Sequence, residues 1–319
     1  MFLKKLFILS LCFTFFGACE KKNETIVLYT SQHNKDIAVL IDAFQKKNPD
    51  IHIEVFRSGT TEVINKILLE AADNFIKADV IMIADAINME SLKRKGLLDT
   101  LEGIEMDSSL KVFQDKDKTY CGTKNINIGL VFNKNSELSP SSFADFNKPE
   151  FKDQIVIANP LYSGAAAVLL SLLVDDPNFG WDFYKKLKEN NVKVVDGNRD
   201  VVETVAKGEK TIGIVVDFMA FNAKNKGSPL DFIYPVEGII VITEPIALIK
   251  KKDRDSKPAA KQFVQFVLSH EGQEIAKNQG YRCITDTYAL NKKIISIDPN
   301  KVLKNFDDNL KRFSALFNK

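Results

Sequence analysis

Hydroxyl, amide and glycine residues gather where apolar runs end in this sequence, and such groups can hold an anion. Tyr162-Ser163-Gly164-Ala165 stands between a buried-strand pattern, Val156 to Ala158, and an apolar helix pattern, Val168 to Leu173. The first amides of a helix lack intrahelical partners and carry partial positive charge. Gly164 and Ala165 would let an anion come close, and Ser163 could cap the helix and add a hydroxyl. Ser31 and His33 follow the run Ile26 to Thr30. Gly59, Thr60 and Thr61 follow Ile51 to Val55, and Asn198 follows Val192 to Val195. These types also serve ordinary turns, so the pattern rests on their recurrence at one end of successive strands. Asp217 ends the run Thr211 to Val216, and Glu237 sits in a turn before Ile239. Either carboxylate could accept hydrogen bonds from a ligand's hydroxyl or amine, or could serve a local cap or ion pair. His33 is open to three roles: metal ligand, phosphate donor or turn residue.

The elements that must position these residues alternate. Strand patterns at Ile26–Thr30, Ile51–Val55 and Ala78–Ile83 are separated by helix-spaced runs, the clearest being Asp36 to Lys47 with Ile37, Leu40, Ile41 and Phe44. Asn127–Asn133 is another strand pattern, after which the units restart with Ile155–Ala158, Val192–Val195 and Thr211–Val216. Strands alternating with helices predict an α/β fold with mostly parallel sheets flanked by helices. The pattern occurs twice, which predicts two lobes joined by two hinge crossings, with ligand between them at the carboxyl ends of strands. The expected division is 25–125 with 240–285 for the first lobe, 126–239 for the second, and 286–319 for a C-terminal helical cap.

Length, composition and charge limit the function. The chain has 319 residues, 45% hydrophobic, with 44 basic and 42 acidic side chains. No basic excess points to nucleic acid. Lys4 and Lys5 precede an apolar stretch, Leu6 to Phe16, which reads as a signal peptide over 1–18. Phe16-Gly17-Ala18-Cys19 resembles the lipobox of bacterial lipoproteins, which implies lipidation of Cys19, a polar tether over 19–24 and an exported protein held on a bacterial membrane. Cys121 and Cys283 remain as a pair that could bond. A serine nucleophile elbow, a phosphate-binding Gly-Lys loop and a histidine cluster are all missing from the sequence, so an enzyme acting on phosphate esters is not expected.

Six segments carry a wider resemblance. Tyr29-Thr30-Ser31-Gln32-His33, Gly59-Thr60-Thr61-Glu62, Ala78-Asp79-Val80, Tyr162-Ser163-Gly164-Ala165, Tyr234-Pro235-Val236-Glu237-Gly238 and Ser269-His270-Glu271-Gly272-Gln273 resemble the ferric-iron-binding family of extracellular solute-binding proteins. The resemblance implies a type II periplasmic-binding-protein fold and a monomer that delivers its ligand to the permease and ATPase of an ABC importer. It implies a metal set of His33, Glu62 and Asp217 if ferric iron is the cargo. The family's tyrosine pair is replaced here by Asp217-Phe218. Together with Thr243-Glu244-Pro245, this is similar to the branch that binds organophosphates such as hexose phosphates and aminoalkylphosphonates. A small anionic solute is therefore the expected ligand, with no cofactor.

Overall fold

The computed structural model describes residues 23–282, 292–295 and 297–317. β1 (Glu24–Thr30) pairs in parallel with β2 (Ile51–Arg57) and β3 (Val80–Met82), with α1 (Asn34–Lys47), α2 (Thr60–Ala72) and α3 (Ala86–Arg94) between and after them. Alternation along β1 sends Ile26 and Leu28 into a core with Phe44 and Phe263, and Tyr29 into another with Ile67 and Ile81. This is the period-two rule of a strand covered on both faces.

β4 (Tyr120–Asn133) leads into the second half. There β5 (Ile155–Ala158) pairs in parallel with β6 (Lys193–Val195) and β7 (Ile212–Val216). Their helices are α4 (Gly164–Asp175), α5 (Gly180–Glu189), α6 (Asn198–Ala206) and α7 (Asp217–Asn225). Ile155 and Ile157 enter one core and Val156 and Ala158 the other. α4 is apolar nearly all round because α5 and α11 (Phe306–Phe317) share its burial. β8 (Leu230–Ile233) pairs with β4. β9 (Ile239–Leu248) then carries the chain back to α8 (Pro258–Leu268) and α9 (His270–Asn278). The C-terminal segment contributes β10 (Ile294–Ile295), which adds to β9, and α10 (Pro299–Val302) before α11.

The sheet order is β2-β1-β3-β9-β4-β7-β5-β6. β4 and β9 run antiparallel through the middle, Tyr120 facing Ala247 and Ile128 facing Ile240. Each therefore belongs to both halves, and they are the two hinge crossings of a type II periplasmic-binding-protein fold. The expected boundaries at 125/126 and 239/240 fall inside β4 and at the start of β9, so each boundary cuts a crossing strand. β4 begins seven residues before the expected Asn127. Its first part reads as polar, and its polar groups are paired within the hinge: Thr123 Oγ1 donates to Glu244 O at 2.8 Å, and Lys124 Nζ lies 3.4 Å from Glu244 Oε2.

The signal peptide, the tether to residue 22, Cys19 and Cys283 lie outside the described residues. Cys121 is buried beside Met106 and Leu110 O, and burial pushes its thiol up to about 12. No helix among the described residues is long and apolar enough to cross a membrane.

Candidate functional site: the cleft between the halves

Four helix starts meet at a cavity of about 240 Å³ between the halves. α1 begins after His33, α2 after Gly59, α4 after Ser163 and α6 after Gly197, and all four preceding residues line the cavity. Local sequence dictates three of these starts, those of α1, α4 and α6. Ser163 Oγ accepts from Ala166 N at 3.4 Å, the usual serine cap. Asp200 reaches back to Gly197 N at 3.0 Å, half of a capping box. His33 Nδ1 accepts from Lys35 N at 3.2 Å. The second half thus presents Gly164 and Ala165 at a helix start where the Ser163 amide already bonds Asn159 O. Their amides are among those a helix cannot satisfy itself.

Side chains complete the polarity. Asn198 Nδ2 donates to Ser163 Oγ at 3.1 Å, which joins the starts of α4 and α6. Arg57 and Arg199 line the same space. Ser31 Oγ is buried and finds no hydrogen-bond partner among the described residues, an orphan that a ligand oxygen would satisfy. Burial, followed by the Arg199 guanidinium, holds the His33 imidazole below its ordinary pKa, against the pull of Asp36. The neutral ring, with Nδ1 already accepting, carries its proton on Nε2 and is a donor.

The floor of the cleft is the hinge. Glu244 lines the cavity and lies buried with Lys124. Gln32 Nε2 donates to Glu244 Oε2 at 3.2 Å, and Lys124 Nζ sits 4.0 Å from the Tyr281 ring centroid. Burial raises the Glu244 carboxyl and lowers the Lys124 ammonium, each against the attraction of the other.

Ser31, His33, Gly59, Thr60, Ser163, Gly164, Ala165 and Asn198 are brought together at this cavity. Four expected residues are not. Asp217 is fully buried, and its carboxylate accepts from Asn127 Nδ2 at 2.8 Å, Tyr234 Oη at 2.7 Å, Arg282 Nε at 3.1 Å and Phe218 N at 2.8 Å. It is committed to the protein's own groups, so no lone pair is left to read a ligand. Glu237 accepts from Ser142 Oγ and, at 3.4 Å, from Phe143 N, beside a different surface hollow. Thr61 lines a groove beside α11. Glu62 is exposed and accepts from Ser58 Oγ. The metal set His33, Glu62 and Asp217 is consequently not assembled. Among the described residues no group of three histidine, cysteine or acidic side chains is placed to hold a metal. Arg57 and Arg199, which line the cleft, carry no short-range sequence signal. Glu244 does, through its place beside Pro245.

The family model for bacterial extracellular solute-binding proteins matches residues 26–282. An uncharacterised protein of Haemophilus influenzae is 28% identical over 298 residues, 88% of this chain and 84% of its own. Among solved structures, the periplasmic binding protein AfuA of Actinobacillus pleuropneumoniae, with fructose-6-phosphate bound, superposes with a TM-score of 0.79 at 22% identity, over 92% of this chain and 98% of that one. Iron-bound HitA of Pseudomonas aeruginosa superposes at 0.76 and 19%, over 92% and 99%. The helix starts, the crossing strands and the cleft between them agree with these matches: the chain belongs to the bacterial extracellular solute-binding proteins, the exported solute-binding components of ABC importers.

Proposed function

We propose that the cleft captures a small phosphorylated or phosphonate solute, such as a hexose phosphate or aminoalkylphosphonate, and that the chain acts as a monomeric lipoprotein anchored through Cys19. The convergence of four helix starts on one cavity carries this reading, because such starts favour a compact anion. The Gly164 and Ala165 amides, Ser163, Asn198, Thr60 and the unpaired Ser31 hydroxyl would hold the phosphoryl oxygens, with Arg57 and Arg199 supplying countercharge. Glu244 would take the hydroxyl or amine groups of the organic part, and neutral His33 would donate to a ligand oxygen. The likeness to a fructose-6-phosphate-bound protein supports the same choice.

No chemical step is required. A ligand that touches both halves favours the closed form by its differential affinity, and the importer reads that form. The test is a thermal-shift screen of phosphate esters, phosphonates and ferric salts, with native mass spectrometry and metal analysis of gently purified protein. Ser163→Asp, which places a fixed charge at the anion position, should abolish the shift while the protein stays folded. One iron per chain with no organophosphate would replace this reading with ferric iron, the cargo suggested by the likeness to HitA. Turnover of a phosphate ester would make the protein an enzyme.

A further inference from the structure

We propose that the end of the first half opposite the cleft is a membrane-facing surface that rests on anionic lipid headgroups. A concavity of about 510 Å³ there is lined by Lys77, Lys250, Lys251, Lys252, Arg254 and Lys257, with Asp253 the one acidic side chain in its lining. Beneath it, buried Asp79 meets Lys257 at 2.9 Å, Arg254 at 2.9 Å and Lys251 at 3.6 Å. One carboxylate thus faces three cations, and the region keeps a positive excess. Lys252 donates to the neutral Asn74 Oδ1 at 3.1 Å, and Lys77 comes no nearer than 3.8 Å to Glu54. Phe75, also in the lining, is 71% exposed, as is Leu69 in the last turns of α2. Lysines surrounding an exposed aromatic ring suit the boundary between headgroups and acyl chains.

The course of the chain singles out this occupant. Lys257 Nζ donates to Thr25 O at 2.6 Å, so β1 starts at this face. Residues 1–23 precede it, and Cys19 is separated from Glu24 by five peptide steps, which reach at most about 18 Å. With Cys19 lipidated, as proposed above, the basic face lies within that distance of the bilayer. The cleft lies at the other end of β1, seven residues or roughly 20 Å away, and stays uncovered.

The test uses the chain from residue 20 onward, made without its leader and therefore unacylated, which holds every described element. It is sedimented with vesicles of phosphatidylcholine alone, or of phosphatidylcholine with phosphatidylglycerol, at low and high salt. Binding should require phosphatidylglycerol and fade as salt screens it. The double variant Lys250→Glu/Lys252→Glu should lower the partition at least about tenfold, and Phe75→Ser should weaken it further, with thermal unfolding and cleft-ligand binding unchanged. Absence of binding, equal binding to both vesicle types, or a double variant that binds like the parent would overturn the proposal. So would displacement by inorganic phosphate beyond that by chloride of equal ionic strength, which would mark a small-anion site instead. Because no acyl chain is present, the result is separate from whether Cys19 is lipidated.

Discussion

Arg57 Nη1 donates to Tyr162 Oη at 3.0 Å, and this bond crosses the cleft from the end of β2 to the loop before α4. Gly59 lies equally close to Tyr162: a Cβ added there would fall 2.6 Å from Tyr162 O. The halves are therefore in contact beside the cavity, as a closed form requires. A hydrogen bond to a charged group contributes about 1.5–3 kcal/mol when shielded, and less where water reaches it. Tyr162→Phe should weaken ligand about three- to tenfold, through faster dissociation. Stopped-flow kinetics checks this, and an unchanged dissociation rate would deny the bond a part in closure.

Gly164 is the tightest point of that contact. A Cβ built on it would lie 2.6 Å from Asp85 Oδ2 and 2.8 Å from Thr60 Oγ1, both in the opposite half. Asp85 cannot swing aside cheaply, because it is buried and accepts from Asn88 N at 2.8 Å and Asn88 Nδ2 at 3.0 Å. Within α4 itself alanine is a better helix residue than glycine. Gly164→Ala should hold the halves apart while leaving unfolding temperature level or slightly raised. Small-angle scattering should show no compaction with ligand, and affinity should fall at least about a hundredfold, the cost of losing contacts from one half. Normal compaction in the variant would contradict the closed contact.

The hinge offers a third test. Glu244→Gln removes the carboxylate beside Lys124, whose side chain is 4% exposed. Breaking a buried pair costs about 3–5 kcal/mol because one charge is left without its partner. Glu244→Gln combined with Lys124→Met should recover much of that loss, since the buried charge is then gone and an unbranched apolar side chain stands where Lys124 Nζ lay over the Tyr281 ring. Urea unfolding of both variants measures the difference. Equal destabilisation by the single and double changes would show that the pair is not what stabilises the crossing.

Ser163, Gly164 and Ala165 were legible because a helix start is written locally, as a cap, two small residues and an apolar run. The α/β alternation was legible for the same reason, with β1 and β5 buried on both faces. Asp217 was not. A carboxylate after a strand reads alike whether it faces a ligand or its own protein, and its partners Asn127, Tyr234 and Arg282 are 90, 17 and 65 residues away. Arg57 and Arg199 were missed because only folding turns both into one space. The strand pattern at Asn127–Asn133 leaves out the first part of β4, where Lys124 and Asn125 interrupt the apolar run. Its hinge role explains them, since Thr243 Oγ1 meets Asn125 Oδ1 at 2.9 Å and Asp217 takes Asn127.

Asp85 makes stability depend on pH in a direction opposite to most carboxylates. It caps α3, lies fully buried and is pushed up to about 6 by that burial, against the hydrogen bonds from Asn88. A folded value above the unfolded one means that the native state holds the proton more tightly. Its contribution is therefore complete below about pH 4 and is lost as pH rises through about 6. Asp85→Asn keeps an oxygen for Asn88 N but carries no charge to bury. At pH 7 the variant should be more stable than the parent by up to about 3 kcal/mol, from about 1.4 kcal/mol per pKa unit. At pH 4 the two should converge. Urea unfolding of both proteins across this range decides it, because other titrating groups such as Glu244 cancel in the difference. A gap that stays constant from pH 4 to pH 7 would mean that Asp85 is ionised throughout and that its burial is already compensated.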